Sequence, residues 1–316
     1  MMKKINDIIG DAKTIGIAGH VRPDGDCMGS CMSLYNYLKK NRPDLDVRVF
    51  LEFVDKKFNI IENTDQIITT GYDGTKFDLF ISLDTASLDR LGLNLPFYEN
   101  AKRTACIDHH ASNDGYADYN YILPKASSAS EVLYDLLDED LIDKSIAEPM
   151  YMGIAHDSGV FRFQSTTPKT MRIAANMIEK GVNVNMILEE TFFRKTYNQM
   201  MVTAKIQSEA VLALDGKCIY GYCTSEMMEE YGVTTKDLDA VVASIRNVDG
   251  VEVAMFLYQL SEDSYKVSLR SKNYVDVSKI AVENGGGGHV RAAGAEIHGK
   301  LNDIINKLLN RIKQDI

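Results

Sequence analysis

The chain has 316 residues, 45% of them apolar and 25% charged, and a formal net charge of −10. That length predicts two domains with a core each, and the acidic balance works against salt-driven binding to duplex nucleic acid, which needs a positive surface. Five cysteines without C-x-x-C spacing (Cys27, Cys31, Cys106, Cys218, Cys223) argue against a disulfide framework or a zinc cage, and "MMKKINDIIGDAK" is too polar for a signal peptide or a spanning helix. The expected location is the cytoplasm, with no membrane contact.

The first short apolar run, "TIGIAG", leads into "GHVRPDGD", which sets His20, Asp24 and Asp26 directly after a strand. Met28, Met32, Tyr35 and Leu38 then recur at helical spacing before Pro43, as a crossover helix requires. The runs "VRVFLE", "FDLFISLD" and "RTACID" are continuous and apolar, the pattern of strands covered on both faces. The fold class is therefore α/β: an N-terminal, mostly parallel sheet with helices on both faces, followed by a smaller C-terminal α/β domain. Asp84 ends the third run, and Asp108, His109 and His110 end the fourth. C-terminal ends of parallel strands share one edge of the sheet, so these groups should converge. Asp157 joins them from "MGIAHDSGVF", where an apolar helix breaks at Ser158-Gly159; His156 beside it reads as a hydrogen-bond donor or a partly buried side chain.

In "STTPKTMRIAANMIEKG" Thr167 caps a helix that Pro168 opens and Gly181 closes. The next thirty residues, "NMILEETFFRKTYNQMMVTAKIQSEAVLAL", hold no Pro or Gly and predict one long linker helix. The expected boundaries are 1–187, a linker helix over 188–209, and 210–316. In the second domain "KCIYGYC", "VEVAMFLYQL" and "YKVSLRS" read as strands, the last two joined in a hairpin by "SEDS". The C-terminal "LNDIINKLLNRIKQDI" puts Ile304, Ile305, Leu308, Leu309 and Ile312 on one helix face. Between them, "ENGGGGHVRAAG" offers backbone amides at Gly286, Gly287 and Gly288, then a helix starting near His289, as a seat for phosphate; a flexible hinge is the alternative. Arg291, Arg246, and Arg270 with Ser271 in "SLRSK" are further candidates for phosphate oxygens.

Singly, Asp24 reads as a turn, Asp84 as a helix cap and His109 as a core histidine. Together, Asp24, Asp26, Asp84, Asp108 and Asp157 in one crevice would repel one another and lose solvation, a conflict that divalent cations remove. Asp and His without thiolates suit Mn²⁺ or Mg²⁺, with Fe²⁺ and Co²⁺ compatible. With Asp84 bridging two ions, such a site activates a water for in-line attack on phosphorus, which predicts a phosphoester hydrolase.

In order, "GHVRPDGDCMGS", "ISLDTAS", "IDHH", "GIAHDSGVFRF" and "GGGGHVRAAG" form a combined pattern over nearly the whole chain. It resembles the DHH phosphoesterases, a DHH domain followed by a DHH-associated domain, and within them the nanoRNase/pAp phosphatase and dinucleotide phosphodiesterase subgroup. The resemblance implies two Mn²⁺ ions, one on His20, Asp24 and Asp84, the other on Asp26, Asp84, His109 and Asp157. It further implies that Asp108 orients a histidine, that His110 meets the scissile phosphate, and that His289 grips a substrate phosphate with Arg270, Arg246 or Arg291 nearby. Ser127 and Ser128 match a family segment and read as cap and site-shaping residues. The implied substrates are short oligoribonucleotides and 3′-phosphoadenosine 5′-phosphate (pAp), with pApA or cyclic di-AMP as the alternative. An inactive nucleotide-binding sensor would show a damaged ligand set, and every implied position here holds the expected residue type. On assembly the sequence says little beyond a homodimer through first-domain surfaces.

Overall fold

In the computed structural model, residues 4–238 and 241–316 are described, and they fall into two units that part between Arg194 and Lys195. In chain order the first unit runs α1 (Ile5–Ile9), β1 (Thr14–Ala18), α2 (Gly25–Asn41), β2 (Asp46–Phe50), β3 (Leu79–Leu83), α3 (Leu95–Glu99), β4 (Thr104–Asp108), β5 (Tyr119–Ile122), α4 (Ala129–Leu136), α5 (Lys144–Asp157), α6 (Pro168–Glu179) and α7 (Val184–Leu188). The five strands are parallel throughout, in the order β2-β1-β3-β4-β5.

Both faces of this sheet are covered, which is why its strands carry no alternation of polar residues. On one face Ile15, Ile17, Leu79 and Ile81 pack with Met28 and Met32 of α2, Leu133 of α4 and Met150 of α5. On the other, Phe80 joins an aromatic cluster with Phe50, Phe77 and Phe97, the Phe50 and Phe97 rings stacked at 4.3 Å. The chain leaves β1 toward β2 and later returns to the opposite side of β1 with β3. This reversal opens a crevice above the strand ends at β1 and β3, where open α/β sheets bind ligands.

α6 forms as expected: the Thr167 hydroxyl accepts from Thr170 N at 3.2 Å, and Gly181 takes φ +94°. The long linker helix over 188–209 does not form. α7 ends at Leu188, a π turn spans Glu189–Phe193, Arg194 is extended (φ −58°, ψ 128°), and α8 (Tyr197–Ser208) starts afresh. Thr196 accepts from Gln199 N at 3.1 Å while the Gln199 side chain accepts from Thr196 N at 2.8 Å. This reciprocal cap opens a new helix inside a run that contains no Pro or Gly to break it.

After α8 the second unit contains β6 (Val211–Ala213), β7 (Cys218–Cys223), α9 (Ser225–Tyr231), α10 (Val241–Arg246), β8 (Val253–Ser261), β9 (Ser264–Ser271), α11 (Val277–Val282), β10 (Gly287–His289), β11 (Ala292–His298) and α12 (Leu301–Ile312). Its sheet has the order β10-β11-β9-β8-β7-β6, with only β7 and β8 parallel. α12 buries Ile304, Ile305, Leu308 and Ile312 as its periodicity predicts. The expected helix at "HVRAAG" is instead the hairpin of β10 and β11. A Cβ on Gly286 would lie 2.1 Å from the Gly294 carbonyl oxygen, and one on Gly288 2.5 Å from that of Ala292. Two of the four glycines are thus required by close backbone approach. Among the described residues no helix is long and apolar enough to cross a membrane.

Glu252, only 3% exposed, accepts from the backbone N–H groups of Asn273 (3.0 Å), Tyr274 (2.8 Å) and Val275 (3.0 Å) and so fastens the loop after β9. Burial alone would raise its pKa, but these donors hold the carboxyl below its ordinary value. A depressed folded pKa gives stability that is present above the unfolded value and lost as pH falls. Glu252→Gln should therefore cost about 2 kcal/mol at pH 7, with the gap to the parent narrowing below about pH 4; urea unfolding at the two pH values measures it.

Candidate metal centre

Three strand ends on the C-terminal edge and one helix end deliver polar groups. His20 follows β1, Asp84 follows β3, Asp108 ends β4 with His109 and His110 behind it, and Asp157 is the last residue of α5. Asp24 caps α2, its Oδ1 accepting from Asp26 N (3.0 Å) and Cys27 N (3.1 Å). Asp24 is thus a helix cap rather than the turn residue it reads as singly, and capping through one oxygen does not compete with a ligand role.

These residues meet. His20 Nε2 lies 3.4 Å from Asp84 Oδ2 and 3.8 Å from Asp24 Oδ1. His109 Nε2 lies 3.1 Å from Asp157 Oδ2 and 3.5 Å from Asp84 Oδ1. Three groups could hold a cation: His20, Asp24 and Asp84; Asp26, His109 and Asp157; and Asp84, His109 and His110. Asp84 is common to two of them.

Asp26 sits on the N-terminus of α4: its Oδ2 accepts from Ala129 N at 2.6 Å and its Oδ1 from Ser130 N (3.0 Å) and Ser130 Oγ (2.6 Å). Orphan amides at a helix start suit a carboxylate. Gly153 of α5 makes room for this pairing, since a Cβ there would come within 2.1 Å of Ser130 Oγ and 2.7 Å of Asp26 Oδ1. Ser128 caps α4 by accepting from Glu131 N at 3.0 Å, and the Ser127 hydroxyl donates to the Glu131 carboxylate at 2.7 Å. Asp108 accepts from His110 Nδ1 at 2.8 Å and from Asn113 Nδ2 at 2.7 Å, fixing the His110 ring. The Thr191 hydroxyl donates to Ile187 O at 2.7 Å, so His156 Nε2, 2.9 Å away, must donate to it. Burial, with Lys57 nearby, pushes His156 down to about 4; it is a neutral, hydrogen-bonded neighbour of Asp157.

The electrostatics of the cluster call for added positive charge. Asp84 Oδ1 is buried without a hydrogen-bond partner, with His110 Nδ1 at 3.7 Å. Burial and the Asp84 carboxylate push Asp26 up to about 7, and burial and Asp26 raise Asp157 well above the carboxylate range. Burial opposes a charged His109, yet Asp84 and Asp157 push it up to about 10. An orphaned buried oxygen among carboxylates and imidazoles fits divalent cations with oxygen and nitrogen ligands. The backbone is strained here too: Arg22 (φ +55°), Asp84 (+51°), Val160 (+57°) and Phe161 (+61°) are non-glycine residues in the left-handed region, each costing about 1–3 kcal/mol. A hollow of about 1010 Å³ lined by residues of the 54–69 and 143–148 segments holds none of these groups.

In the second unit, His289 pairs with Ala292 and Ala292 with Arg270, which puts His289 and Arg270 in one row on one face of the sheet. Arg291 does not join them: Nη1 donates to Val275 O at 2.7 Å and Nη2 to Asn273 O, which pins the hairpin to the loop that Glu252 holds. Ser271 is buried, with its hydroxyl 3.5 Å from Arg291 Nη1. Arg246 ends α10, half-buried. Ser130, Gly153, Asn113 and Thr191 were not legible as site residues. The Ser128-x-x-Glu131 spacing signals a helix start, but nothing local says which carboxylate that start receives.

Residues 14–154 match the DHH family, N-terminal domain, and residues 215–314 match the DHHA1 domain. The chain is 31% identical over 313 residues to the "Bifunctional oligoribonuclease and PAP phosphatase NrnA" of Thermus thermophilus, covering 96% of this chain and 90% of that protein. It is 28% identical over 290 residues to the protein of the same description from Bacillus subtilis, covering 90% of each. A crystal structure of an exopolyphosphatase-related protein from Bacteroides fragilis shares the fold, with a TM-score of 0.89 at 23% identity over 98% of this chain and 95% of that one.

Two outcomes follow from the geometry. Gly153→Ala should push Ser130 off Asp26 and weaken Mn²⁺ binding about 10–100-fold by isothermal titration calorimetry. Because His109 and Asp157 must each shed a proton to ligate, Mn²⁺ affinity should rise with pH, up to about a hundredfold per unit between pH 6 and 8, with the released protons visible as a buffer-dependent binding enthalpy.

Proposed function

Because the chain belongs to the DHH family, we propose that it is a two-metal phosphoesterase that hydrolyses short oligoribonucleotides to mononucleotides and removes a phosphate from pAp. The observation that carries this reading is the sharing of the buried Asp84 carboxylate between candidate cation sites on either side of it. The activities named for the relatives of Thermus thermophilus and Bacillus subtilis support it. Nothing favours pApA or cyclic di-AMP as the substrate, or an inactive sensor.

In this reading His20, Asp24 and Asp84 hold one cation, and Asp26, His109, Asp157 and Asp84 the other, with Mn²⁺ the expected ion. Bound there, the cations neutralise phosphoryl charge and acidify a water. The chain does the rest by positioning. The donors at the α4 N-terminus favour the ionised, ligating form of Asp26 against the burial that raises its pKa. Asp108 accepts the His110 Nδ1–H, which aims Nε2 outward: a neutral His110 offers Nε2 as a proton acceptor, and a protonated one donates Nε2–H to a phosphoryl oxygen or to the leaving oxygen. The first unit is then the catalytic domain. The second is the substrate-binding domain, with the open row of His289 and Arg270 and the backbone of Gly287 taking phosphate. A reducing compartment such as the cytoplasm suits the five buried, unpaired cysteines.

Purified protein with Mn²⁺ should release mononucleotides from a labelled trinucleotide and inorganic phosphate from pAp; release from neither ends the proposal. Asn tolerates the left-handed backbone that Asp84 adopts, so Asp84→Asn isolates the charge and should lower kcat by roughly 10³-fold or more. At Gly287 an added Cβ would meet nothing within 4 Å. Gly287→Ala should therefore leave Tm unchanged while raising KM about tenfold, because it blocks backbone approach to the anion.

A further inference from the structure

Arg90 lies six residues beyond Asp84, in the short irregular helix Leu88–Asn94. Its main chain is tied at two points: its N–H donates to Ser87 O at 3.1 Å, and its carbonyl accepts from Val21 N at 2.7 Å. The second bond joins it to the loop that carries His20. Its guanidinium Nη2 ends 3.4 Å from His20 Nδ1.

That contact does not serve as a hydrogen bond. His20 Nδ1 also lies 2.8 Å from the Val21 carbonyl oxygen, which can only accept. The nitrogen therefore carries a proton and turns it toward Val21, so Arg90 and Nδ1 are two donors side by side. The other nitrogen, Nε2, faces Asp24 and Asp84. The guanidinium thus stands at the outer edge of a candidate ligand without being used by it.

Several other arginines of this unit, by contrast, are consumed by the fold. Arg42 takes both oxygens of Asp44, and Arg103 takes Asp11 and the Ile9 carbonyl. Arg90 is exposed, and among the described residues it forms no ion pair with any carboxylate, although it borders an acidic cluster. Its backbone is fixed while its planar set of donors is unspent, the condition in which a guanidinium can take an incoming anion.

We infer that Arg90 is a substrate-binding residue whose guanidinium holds a phosphate oxygen of the nucleotide at the rim of the cation cluster. This rests on the phosphoesterase reading above and names a phosphate contact within the first unit itself. The interaction offsets phosphate charge from the side opposite Asp84 and leaves His20 Nε2 for its cation. A lysine at this position supplies a point charge but no paired donors.

The test compares Arg90→Ala and Arg90→Lys with the parent, all loaded with Mn²⁺. Mn²⁺ affinity and Tm should stay at parental values, while kcat/KM in Arg90→Ala falls about 10²-fold and guanidinium ion added in solution restores part of it. Arg90→Lys should recover only a minor share. Affinity for inorganic phosphate, measured by calorimetry without turnover, should fall about tenfold in Arg90→Ala, the loss of one charge-assisted contact. An equal loss on pAp and on a dinucleotide lacking a 5′-phosphate assigns the guanidinium to the scissile phosphate, and a loss on pAp alone assigns it to the other one. The inference is overturned if Arg90→Ala weakens Mn²⁺ binding as much as turnover, for then Arg90 acts through His20, or if turnover and phosphate affinity stay within about threefold of the parent. Should the parent hydrolyse neither substrate, the phosphoesterase reading falls and phosphate affinity alone decides the role of Arg90.

Discussion

A carboxylate oxygen sealed from water without a hydrogen bond is the constraint around which the first unit is arranged. Asp84 Oδ1 occupies that position, on a residue whose backbone is held in a left-handed conformation and whose neighbours are the imidazoles of His20, His109 and His110. Desolvating a carboxylate costs several kcal/mol unless a cationic partner compensates. The apolar packing on both faces of the sheet keeps these groups pressed together against their mutual repulsion. The strain and the missing hydrogen bond coincide at one residue, which is where function at the expense of local stability is expected.

Polar groups behind the cluster fix where each side chain aims. Asp26 is clamped by three donors from the start of α4, and His110 is held through Asp108 and Asn113. The second unit uses the same device on its backbone: Glu252 takes the N–H groups of residues 273–275, and Arg291 takes two of the carbonyls. This paired fastening holds the loop after β9 and the edge of the β10–β11 hairpin in place.

The three strand ends of β1, β3 and β4 and the groups that follow them were legible in the sequence because a covered parallel strand is a continuous apolar run, and its first polar residue marks the shared edge. Asp84 after "LFISL" and Asp108 in "TACIDHH" are read in this way. The supporting groups were not legible, since Ser130 reaches Asp26 from more than a hundred residues away, and no local pattern encodes which helix start meets which carboxylate. Two expectations failed for reasons of local chemistry. The run without Pro or Gly after Gly181 conceals the reciprocal Thr196 and Gln199 cap, and the glycines before His289 serve close strand pairing rather than a helix start. In both cases a compositional signal was outweighed by a specific backbone hydrogen-bonding arrangement.

The order β2-β1-β3-β4-β5, with Asp157 at the far end of α5, also bears on how the cluster comes into being during synthesis. His20 leaves the ribosome early and Asp157 late, and the two are brought together only after α5 has docked against α2 and Gly153 has settled over Ser130. Of the proposed seats, the one built on Asp157 is therefore complete only once α5 is in place, whereas His20, Asp24 and Asp84 all lie within the first 84 residues. At that later seat the choice of ion would fall to the finished fold, whose shape and ligand type decide the occupant.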